Sequence, residues 1–364
     1  MPYKILFTCG REPTYPRNAI IKTCLEHNFE VVSVTDNARW LPLRYLRLAC
    51  KLFRVARDNF DLFFVGFVGH PIILFLNLLK KRPVVFDAFI SIYDTLCFDR
   101  QVYKPSSLFG KITFWLDRLS CDLSDLVCLD TKEHVRYFQE TFGIQLEKLW
   151  SFYIGCDERI FYPRTGDNLI PLVLYNGSFL PLQGVDVIIR AAKILENEPG
   201  LRFRFIGKGR ELKNIKNLAR ELSIRNIDFL PPVPLQELPE HISQATICLG
   251  GHFGHVDKAA RVIAGKTFES LAMGKATIVG DNPANKELLT HGYDAWFCRM
   301  NDPQALADAI RELIYDKDKC VNIGKNAYRT FMDRASMQVL SIQLRDKILS
   351  VIEGSFDIDK RNEC

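Results

Sequence analysis

The stretch PLVLYNGSFLPLQGVDVIIRAAKILEN, residues 171–197, carries the pattern on which the fold prediction depends. It begins with a short run of apolar and β-branched residues, continues through glycine and polar residues, and ends with apolar residues at helical spacing. A buried strand that passes through a glycine turn into a helix is the repeating unit of a parallel sheet covered on both faces. The stretch therefore predicts one βα unit of an α/β fold.

The same alternation occurs on both sides of this stretch. Apolar runs that predict strands include KILFTC, FEVVSVT, DLFFVGFV, PVVFDAF and SDLVCLDT before it, and LRFRFIGKG, ATICLGG and ATIVGD after it. The segment FYPRTGDNLIP, residues 161–171, holds two prolines and a glycine and is predicted to be a linker. We expect two doubly wound sheets, with a ligand cleft between them at the carboxyl ends of their strands.

Length and composition indicate a folded chain of two domains. The 364 residues exceed what one core usually holds, and 48% apolar with 25% charged residues is an ordinary globular balance. The net charge is only +5, from 48 Lys and Arg against 43 Asp and Glu. This charge does not favour nucleic acid as a partner. The sequence also shows no basic surface with interleaved aromatic residues and no nucleic-acid recognition motif.

Cysteine usage and the apolar segments bear on the compartment. Eleven cysteines without a CxxC pair predict reduced, mostly buried thiols and favour the cytosol. The N-terminal MPYKILFTCG is interpreted as a first strand and not as a signal peptide. The apolar stretch 61–79 contains Asp61, His70, Pro71 and Asn77, so it predicts a strand, a turn and a buried helix in preference to a membrane span.

The stretch VIAGKTFESLAMGK, residues 262–275, is the strongest candidate for a binding site. A helix that begins near Gly265 offers free N–H groups and a partial positive charge to an anion, and Lys266 adds a full charge. Glu269, one turn later, could accept hydrogen bonds from the vicinal hydroxyls of a ribose. The alternative is an ordinary surface helix with an i,i+3 ion pair.

Two other turns place glycine where a strand hands over to a helix. They are NGSFLPLQG, residues 176–184, and IGKGREL, residues 206–212. Their backbone N–H groups could point at an anion, although tight packing explains each glycine equally well when it is taken alone.

In their order along the chain, these segments resemble the donor domain of family 4 glycosyltransferases of the GT-B fold. The resemblance includes FLPPVPLQELPEHISQATICL and KTFESLAMGKATIVGDNPANKELL, and SFYIGCDERIFYP is similar to the interdomain signature of that family. It extends over about residues 3–320. The expected fold is α/β of the GT-B type, with two doubly wound Rossmann-like domains facing each other across a cleft.

The resemblance implies a retaining transfer of a sugar from a nucleoside diphosphate sugar to an acceptor hydroxyl. It implies no obligatory metal and no cofactor besides the donor substrate, and the sequence has no DxD pair near a strand end. By family pattern Glu269 binds the ribose, while Gly265 and Lys266 lie against the diphosphate. The donor-binding residues are then Gly177, Ser178, Lys208, Gly265, Lys266, Thr267 and Glu269.

Three positions depart from the family pattern. Arg261 stands where the first glutamate of a pair is expected, and Ser178 and Gln183 stand where cations usually clamp the diphosphate. Cations precede or open the same helix instead: Lys258, Arg261 and Lys266. We predict that Arg261 and Lys266 take over the clamp as catalytic residues; the alternative for Lys258 and Arg261 is a solvated loop charge. Because the first glutamate is missing, the resemblance assigns no residue to the donor sugar. Asp257 and His252 are the candidates to replace it.

The acceptor side is predicted in the N-terminal half. Asp87 ends an apolar strand at a position that is commonly histidine in the family, so it is the third catalytic candidate, to orient or partly deprotonate the acceptor hydroxyl. An aspartate that caps the next turn is the alternative. The loop 8–18 resembles the glycine-rich first turn of the family and places Gly10, Arg11 and Arg17 toward the cleft.

The segment 40–58 predicts a basic amphipathic helix. Four cations share one face, and an apolar stripe adjoins them: Arg44, Arg47, Lys51 and Arg54, beside Leu43, Leu46, Cys50 and Phe53. Such a helix can lie on an anionic membrane, as in relatives that extend lipid-linked glycans. A solvated helix face over the sheet is the alternative.

These observations predict three parts of the chain: an acceptor-binding domain in 1–163, a donor-binding domain in 164–335, and a helix with its tail in 336–364 that packs back on the first domain. The expected function is a glycosyltransferase that acts on a glycan or lipid-linked acceptor in bacterial surface polysaccharide or lipopolysaccharide synthesis. It is expected in the cytoplasm, peripheral to the inner face of the plasma membrane. The alternatives are a non-catalytic sugar-nucleotide or glycan-binding protein of the same fold and, less favoured, an epimerase.

Overall fold

The protein consists of two compact units, each built around a six-stranded parallel sheet. The computed structural model describes residues 3–55, 58–78, 82–166 and 170–362. The first unit comprises Met1–Ile154 and Met337–Cys364, and the second comprises Gly155–Ser336. Every strand pairing within the two sheets is parallel, so the α/β prediction with two Rossmann-like units is confirmed.

The first sheet has the strand order β2-β1-β3-β4-β5-β6. Its strands are fully buried except at the edges, because helices cover both faces. The elements are β1 Lys4–Cys9, α1 Pro16–Glu26, β2 Glu30–Val34, α2 Leu41–Val55, β3 Leu62–Gly66, α3 His70–Leu78, β4 Val84–Phe89, α4 Ile92–Asp94, α5 Leu108–Asp122, β5 Leu126–Leu129, α6 Lys132–Phe142 and β6 Leu149–Ser151.

The second sheet has the strand order β12-β11-β10-β7-β8-β9. The elements are β7 Leu172–Ser178, α7 Val185–Ile194, β8 Arg202–Lys208, α8 Leu212–Glu221, β9 Ile227–Leu230, α9 Leu238–Ser243, β10 Ile247–Gly251, α10 Gly265–Ala272, β11 Ala276–Gly280, α11 Pro283–Leu288, β12 Trp296–Cys298, α12 Pro303–Tyr315 and α13 Lys317–Arg334. The quoted stretch forms β7 and α7, as predicted, with Tyr175 and Ile188 in the core.

The last helix, α14 Met337–Asn362, belongs to the first unit and packs against α1. The polypeptide passes between the units at Ile154 and Gly155, and again at Ser336 and Met337. The predicted linker 161–171 therefore lies inside the second unit, apart from residues 167–169, which are outside the described part of the chain. Phe161 is buried there, and a side chain at Gly166 would meet the carbonyl oxygen of Ser243 at 2.2 Å.

The helices of the first unit form two layers, one on each face of the sheet. The chain moves from β1 to β2 in one direction and from β2 to β3 in the other, so right-handed crossovers place α1 and α2 on opposite faces. In one layer α2 packs on α3, and α3 packs on α5; in the other, α1 packs on α14. The outer surfaces of α2 and α5 therefore belong to the same side of the unit.

The apolar segment 61–79 forms β3, a turn and α3, as predicted, with residue 79 outside the described part. Within that part, no helix combines the length and the apolar character needed to cross a membrane. The ten cysteines described there are free, and all except Cys50 are buried, which confirms the prediction of reduced, mostly buried thiols.

Candidate functional site

The side chain of Lys266 is held at the start of α10 by neutral groups. Its Nζ donates a hydrogen bond to Oε1 of Gln183 and lies 4.0 Å from the centre of the Tyr175 ring. Lys266 is 7% exposed, so the ammonium is nearly withdrawn from water. A carbonyl oxygen and an aromatic face orient a cation without cancelling its charge. The ammonium therefore keeps its attraction for an anion.

Two glycines at the ends of neighbouring strands leave room beside this ammonium. Gly177, in β7, has a φ of 141°, and Gly251, at the end of β10, has a φ of 80°. A Cβ at Gly177 would lie 3.5 Å from Nζ of Lys266, and one at Gly251 would lie 3.5 Å from its Cε. These backbone conformations strongly favour glycine, and at both positions no side chain comes between the ammonium and a ligand.

The N-terminus of α10 is built to face an anion. Its N-cap residue, Ala264, has extended backbone geometry and no side chain that accepts from the first N–H groups of the helix. Among the described residues, and apart from its chain neighbours and the backbone of its own helix, nothing lies within 4 Å of the position that a Cβ of Gly265 would occupy. The first turn of a helix leaves N–H donors without intrahelical partners, and its dipole favours negative charge. An anion placed here would meet these donors and Lys266 together.

Glu269 lies one turn into α10 and is fixed by a partner from the sheet. Nδ2 of Asn176, in β7, donates to Oε2 of Glu269 at 2.9 Å. Asn176 is buried, whereas Glu269 is half-buried. With one oxygen engaged by the amide, the carboxylate keeps acceptor capacity for a ligand hydroxyl. Asn176 was not predicted, although it directly precedes the Gly177 that the sequence had singled out.

Burial perturbs the charges of this site. It lowers the pKa of Lys266 from 10.5 to about 7, against the opposing effect of Glu269. Burial also raises the pKa of Glu269, while the hydrogen bond from Asn176 and the charge of Lys266 work against that rise. A lysine amine with a pKa near neutrality is partly deprotonated, and it takes up a proton when an anion binds beside it. A carboxyl group with a raised pKa beside an amine with a lowered pKa is typical of functional sites.

His252 lies beside the same ammonium at the end of β10. Burial, followed by the charge of Lys266, lowers the pKa of His252 to about 3, so the imidazole is neutral at physiological pH. Its Nδ1 is buried and has no hydrogen-bond partner among the residues that the structure describes. Since buried polar atoms are nearly always paired, this nitrogen is available to a ligand group. The sequence named His252 only as one of two candidates for contacts to the donor sugar.

Several predicted donor residues lie at the same edge of the sheet, and one does not. Ser178 and Lys208 are paired in register across β7 and β8, and both are exposed. Thr267 is completely buried, and its Oγ1 lies 2.6 Å from where a Cβ of Gly250 would be. Its backbone N–H is bonded to the carbonyl of Ala264. The helix therefore turns Thr267 toward the sheet, and a contact between this residue and the donor stays a prediction.

The loop before α10 contains the predicted substitute cations. Arg261 follows a 3-10 turn, Asp257–Ala260, and is half-buried, while Lys258 in that turn is 4% exposed. The burial of Lys258 corrects its interpretation as a solvated loop charge. The role of Arg261 as a phosphate clamp stays a prediction. In the described part of the chain, no cluster of three His, Cys, Asp or Glu residues is arranged to hold a metal ion.

In the first unit, Arg17 and Asp87 form a closed ion pair. Nη2 and Nε of Arg17 donate to the Asp87 carboxylate at 2.8 and 3.1 Å, and Nη1 donates to the carbonyls of Phe152 and Tyr153 at 2.6 and 2.9 Å. Both side chains are completely buried. Asp87 and Arg17 are predicted to face an acceptor, and this role stays a prediction that the closed pair does not favour. The carboxylate is already bonded to a guanidinium and has no access to solvent.

The first loop of this unit is held in place by Arg44, which was predicted to lie on the basic face of α2. Arg44, in α2, is 2% exposed and donates to the carbonyl of Gly10 at 2.9 Å and to Glu12 at 3.0 Å. Gly10 is required for close packing, because a Cβ there would lie 1.9 Å from the carbonyl oxygen of Val68. Arg11 remains exposed, so its predicted contact with an acceptor stays open as a prediction.

The outer face of α2 differs from its predicted basic face. Arg44 is buried with Leu48 and Leu52, because it bonds to the first loop. Three residues of the predicted apolar stripe face solvent: Leu46, Cys50 and Phe53. The other three cations of the helix are also exposed and flank them: Arg47, Lys51 and Arg54. The helix thus presents apolar and basic side chains together on its exposed side.

Comparisons with known proteins agree with this geometry. The profile of the family described as glycosyl transferases group 1 matches residues 167–330, which contain β7, β10 and α10. This match covers less than half of the chain and lies within the second unit. The recognition of a glycosyltransferase of the GT-B fold from sequence is thereby confirmed, and the residues at the start of α10 belong to that domain.

Among curated relatives, an uncharacterized glycosyltransferase of Methanocaldococcus jannaschii is 24% identical over 174 residues, covering 48% of this chain and 46% of that protein. A GDP-mannose-dependent alpha-(1-6)-phosphatidylinositol monomannoside mannosyltransferase of Mycobacterium tuberculosis is 24% identical over 160 residues, covering 42% and 41%. The chain thus spans less than half the length of these glycosyltransferases.

The likeness to solved structures extends further than the likeness in sequence. The structure of Anabaena HepE in complex with UDP matches with a TM-score of 0.73 and 18% identity, covering 95% of this chain and 100% of that one. At this identity the match shows the fold alone, and it extends over both units. Together with the two parallel sheets, it confirms the predicted GT-B fold.

Proposed function

We propose that the protein is a retaining glycosyltransferase that binds a nucleoside diphosphate sugar at the start of α10. The observation that carries this proposal is the ammonium of Lys266, buried beside a helix N-terminus and two glycines and held only by neutral groups. A diphosphate supplies the negative charge that this arrangement lacks. As the sugar leaves, charge grows on the diphosphate, and donors fixed in advance stabilise it without reorganisation.

The nucleoside end of the donor is assigned to Glu269. Its carboxylate is oriented by Asn176 at 2.9 Å and lies one helical turn from Lys266. A carboxylate at that distance from a phosphate-binding helix start can accept from both hydroxyls of a ribose. The neutral His252, with its open Nδ1, is assigned to a polar group of the transferred sugar.

The donor is proposed to carry uridine or guanosine. The related fold of Anabaena HepE was solved with UDP, and the mycobacterial relative is named as dependent on GDP-mannose. A thermal-shift series with UDP, GDP, ADP and CDP, followed by their sugar conjugates, tests this choice. Binding raises the apparent stability by RT ln(1 + [L]/Kd), so the preferred nucleotide gives the largest rise. The proposal fails if none of the four stabilises the protein.

Catalysis is tested separately from binding. Glu269→Gln retains the shape and the partner of the carboxylate but weakens charge-assisted acceptance from ribose, so we expect about 1.5–3 kcal/mol of lost donor affinity. Glu221→Gln, on the helix α8 of the same unit, is a matched control and should change nothing. Retention is tested by nuclear magnetic resonance of the product, since an inverted anomeric centre would contradict the proposed stereochemistry.

For the acceptor, we propose a glycan or lipid-linked hydroxyl at the cytoplasmic surface of a membrane, in the synthesis of bacterial surface polysaccharide or lipopolysaccharide. The exposed mixture of Leu46 and Phe53 with Arg47 and Arg54 on α2 supports contact with an anionic bilayer. Transfer of labelled sugar from the preferred donor into an organic-extractable fraction of bacterial membranes would support it. Transfer into a membrane-associated glycan would support the glycan acceptor instead, and transfer into neither fraction would contradict the proposal.

One observation favours a second candidate, a binding protein of this fold without catalytic turnover. Gln183 takes the place of a cation and instead accepts from Lys266, so the diphosphate has fewer fixed charges around it than the family pattern implies. Such a protein would bind the nucleotide sugar but neither transfer nor hydrolyse it. Measuring release of nucleoside diphosphate from the bound donor, with and without membranes, separates the two candidates.

A further inference from the structure

In the helix α5, small and polar side chains face the core and large apolar side chains face solvent, which is the reverse of an ordinary surface helix. Its buried residues are small or polar: Gly110, Thr113, Asp117, Ser120 and Cys121. Its exposed residues include five large apolar side chains, which are Leu108 at 71%, Phe109 at 57%, Ile112 at 48%, Trp115 at 58% and Leu119 at 43% exposure. Surface helices normally bury such side chains, so this arrangement indicates a face that another apolar phase covers.

The contacts of the buried residues explain this reversed distribution of side chains. Asp117 accepts hydrogen bonds from His70 at 2.9 Å and from Ser91 at 2.6 Å, and from the backbone N–H of Tyr93 at 2.9 Å. Gly110 packs closely, because a Cβ there would lie 2.4 Å from the carbonyl oxygen of Lys104. The inner face of α5 is therefore fixed by a polar network and close backbone contact. Its apolar residues are left for the outside.

The exposed apolar residues form a continuous stripe. Leu108, Ile112, Trp115 and Leu119 follow one another at steps of four, three and four residues, which places them along one side of the helix. Lys111 and Arg118 flank the stripe, and the guanidinium of Arg118 lies 5.2 Å from the centre of the Trp115 ring. Apolar side chains bordered by cations, with a tryptophan among them, match the interface of an anionic bilayer.

The outer face of α2 has the same composition and belongs to the same layer of helices, with α3 between the two. Both stripes lie on the outward sides of helices that cover one face of the sheet. A partner helix would occupy a groove beside one of them, whereas a broad planar phase contacts both. The cations on both helices select a phase with negative charge.

We propose that the outer faces of α2 and α5 form one membrane-docking surface, in which the α5 stripe inserts among the lipids of an anionic bilayer. This extends the bilayer contact of the proposed function to a second helix, but it does not depend on transferase activity. Trp115 and Ile112 then lie at the level of the headgroups and upper acyl chains, and Lys111 and Arg118 contact the phosphates.

The test measures binding of the full chain to vesicles of equal parts phosphatidylglycerol and phosphatidylcholine, with pure phosphatidylcholine vesicles in parallel. Ile112→Ser should lower the affinity for the anionic vesicles about tenfold, because a half-exposed isoleucine loses its burial in lipid. Ile342→Ser is the matched control: Ile342 is 43% exposed and lies on α14, in the opposite helical layer. It should leave vesicle binding unchanged.

Fluorescence quenching locates the inserted residue. Trp40 is also exposed, at 68%, and directly precedes α2, so the measurement uses Trp40→Phe as its background. Acyl chains carrying bromine should quench the tryptophan emission of this variant, and adding Trp115→Phe should remove most of that quenching. Equal binding by Ile112→Ser and wild type, or quenching that persists after Trp115→Phe is added to Trp40→Phe, would overturn the proposal. So would a lipid-free dimer that Ile112→Ser dissociates, since a second copy would then be the occupant. Nucleotide-induced thermal shifts should be the same in all these variants, so a failure of donor binding is recognised separately.

Discussion

Each unit buries a cation near the carboxyl edge of its parallel sheet, but the two cations are held in opposite ways. Arg17 is paired with the Asp87 carboxylate and two backbone carbonyls, and the side chains of Arg17 and Asp87 are both fully buried. In the described parts of the chain, the close partners of Lys266 are the amide oxygen of Gln183 and the Tyr175 ring, with half-buried Glu269 one turn away. A cation neutralised by a carboxylate stabilises the fold, whereas a cation held by neutral groups is available to an anionic ligand.

The largest expected effect is the loss of the closed pair. Asp87→Asn leaves the Arg17 guanidinium buried without a counter-charge, so the free energy of unfolding should fall by about 3–5 kcal/mol. Chemical denaturation measures this loss, and Glu30→Gln, at an exposed ion pair of the same unit, should change it by less than about 1 kcal/mol. If Asp87→Asn were as stable as wild type but inactive with saturating donor, Asp87 would have the catalytic role that the sequence suggested.

The next effect concerns the open cation. Lys266→Met removes the charge but keeps most of the volume, so affinity for the preferred nucleoside diphosphate should fall by about 1.5–3 kcal/mol, or roughly tenfold to a hundredfold. Titration calorimetry measures it. Lys275→Met is a matched control, because Lys275 is also partly buried but donates to the carbonyls of Ser243 and Ala245. Equal loss in both variants would indicate a general effect on the fold.

A single isosteric change should convert the open site into a closed one. Gln183→Glu places a carboxylate where the amide oxygen now accepts from Lys266, which reproduces the pairing of Arg17 with Asp87. Affinity for the donor should fall about tenfold, because the new carboxylate competes with the diphosphate for the ammonium. An unchanged affinity would show that the diphosphate does not approach Lys266. Gln244→Glu, at a partly exposed amide in the same unit, serves as the control.

The smallest effect is a dependence on pH. Because burial lowers the pKa of Lys266 to about 7, the free site is half-protonated near neutrality, and binding of an anion draws in a proton. Donor affinity should therefore decrease as the pH rises above about 7, by a few-fold per pH unit. A nucleoside diphosphate sugar is the right ligand, since its diphosphate does not titrate there. Calorimetry in buffers of different ionisation enthalpy counts the protons directly, and no uptake would refute the assignment.

The lowered pKa of Lys266 also affects the free energy of unfolding, which should change with pH in the opposite direction to the donor affinity. The unfolded lysine, at 10.5, binds more protons than the folded one between pH 7 and that value, so the free energy of unfolding should rise with pH across this window. The slope is at most about 1.4 kcal/mol per pH unit. Lys266→Met should flatten it, and unfolding curves recorded at several pH values measure both slopes.

Prediction from sequence succeeded where local pattern dictates local structure. The alternation in 171–197 gave β7 and α7, and the apolar segment 61–79 was correctly assigned to β3 and α3. The start of α10 followed from a glycine and a lysine before a helical pattern. The predicted linker was wrong because prolines and glycine mark a break in regular structure, but whether the segment packs on a unit depends on distant residues such as Ser243.

Three residues assigned from sequence have surroundings that the sequence did not predict. Thr267, Asp87 and Arg44 were assigned from their residue types and from positions along a helix or strand, and all three are buried. Asp87 and Arg44 found partners far away in the sequence, 70 and 34 residues distant. Such pairs have no local signal. Asn176 and Gln183 contact α10 across 93 and 83 residues, and their importance likewise appears only when the chain has folded.

The sequence by itself determined the two-sheet α/β architecture, the glycosyltransferase family and the helix start at which an anion is expected, because apolar periodicity and glycine turns act over a few residues. Only the tertiary structure decided which cation is neutralised, which stays open, and which way each amphipathic helix faces. On α5 the spacing of Leu108, Ile112, Trp115 and Leu119 would suit a core-facing stripe, yet these residues face outward. The direction of a stripe is fixed by what its opposite face contacts, and here that is a buried polar network around Asp117.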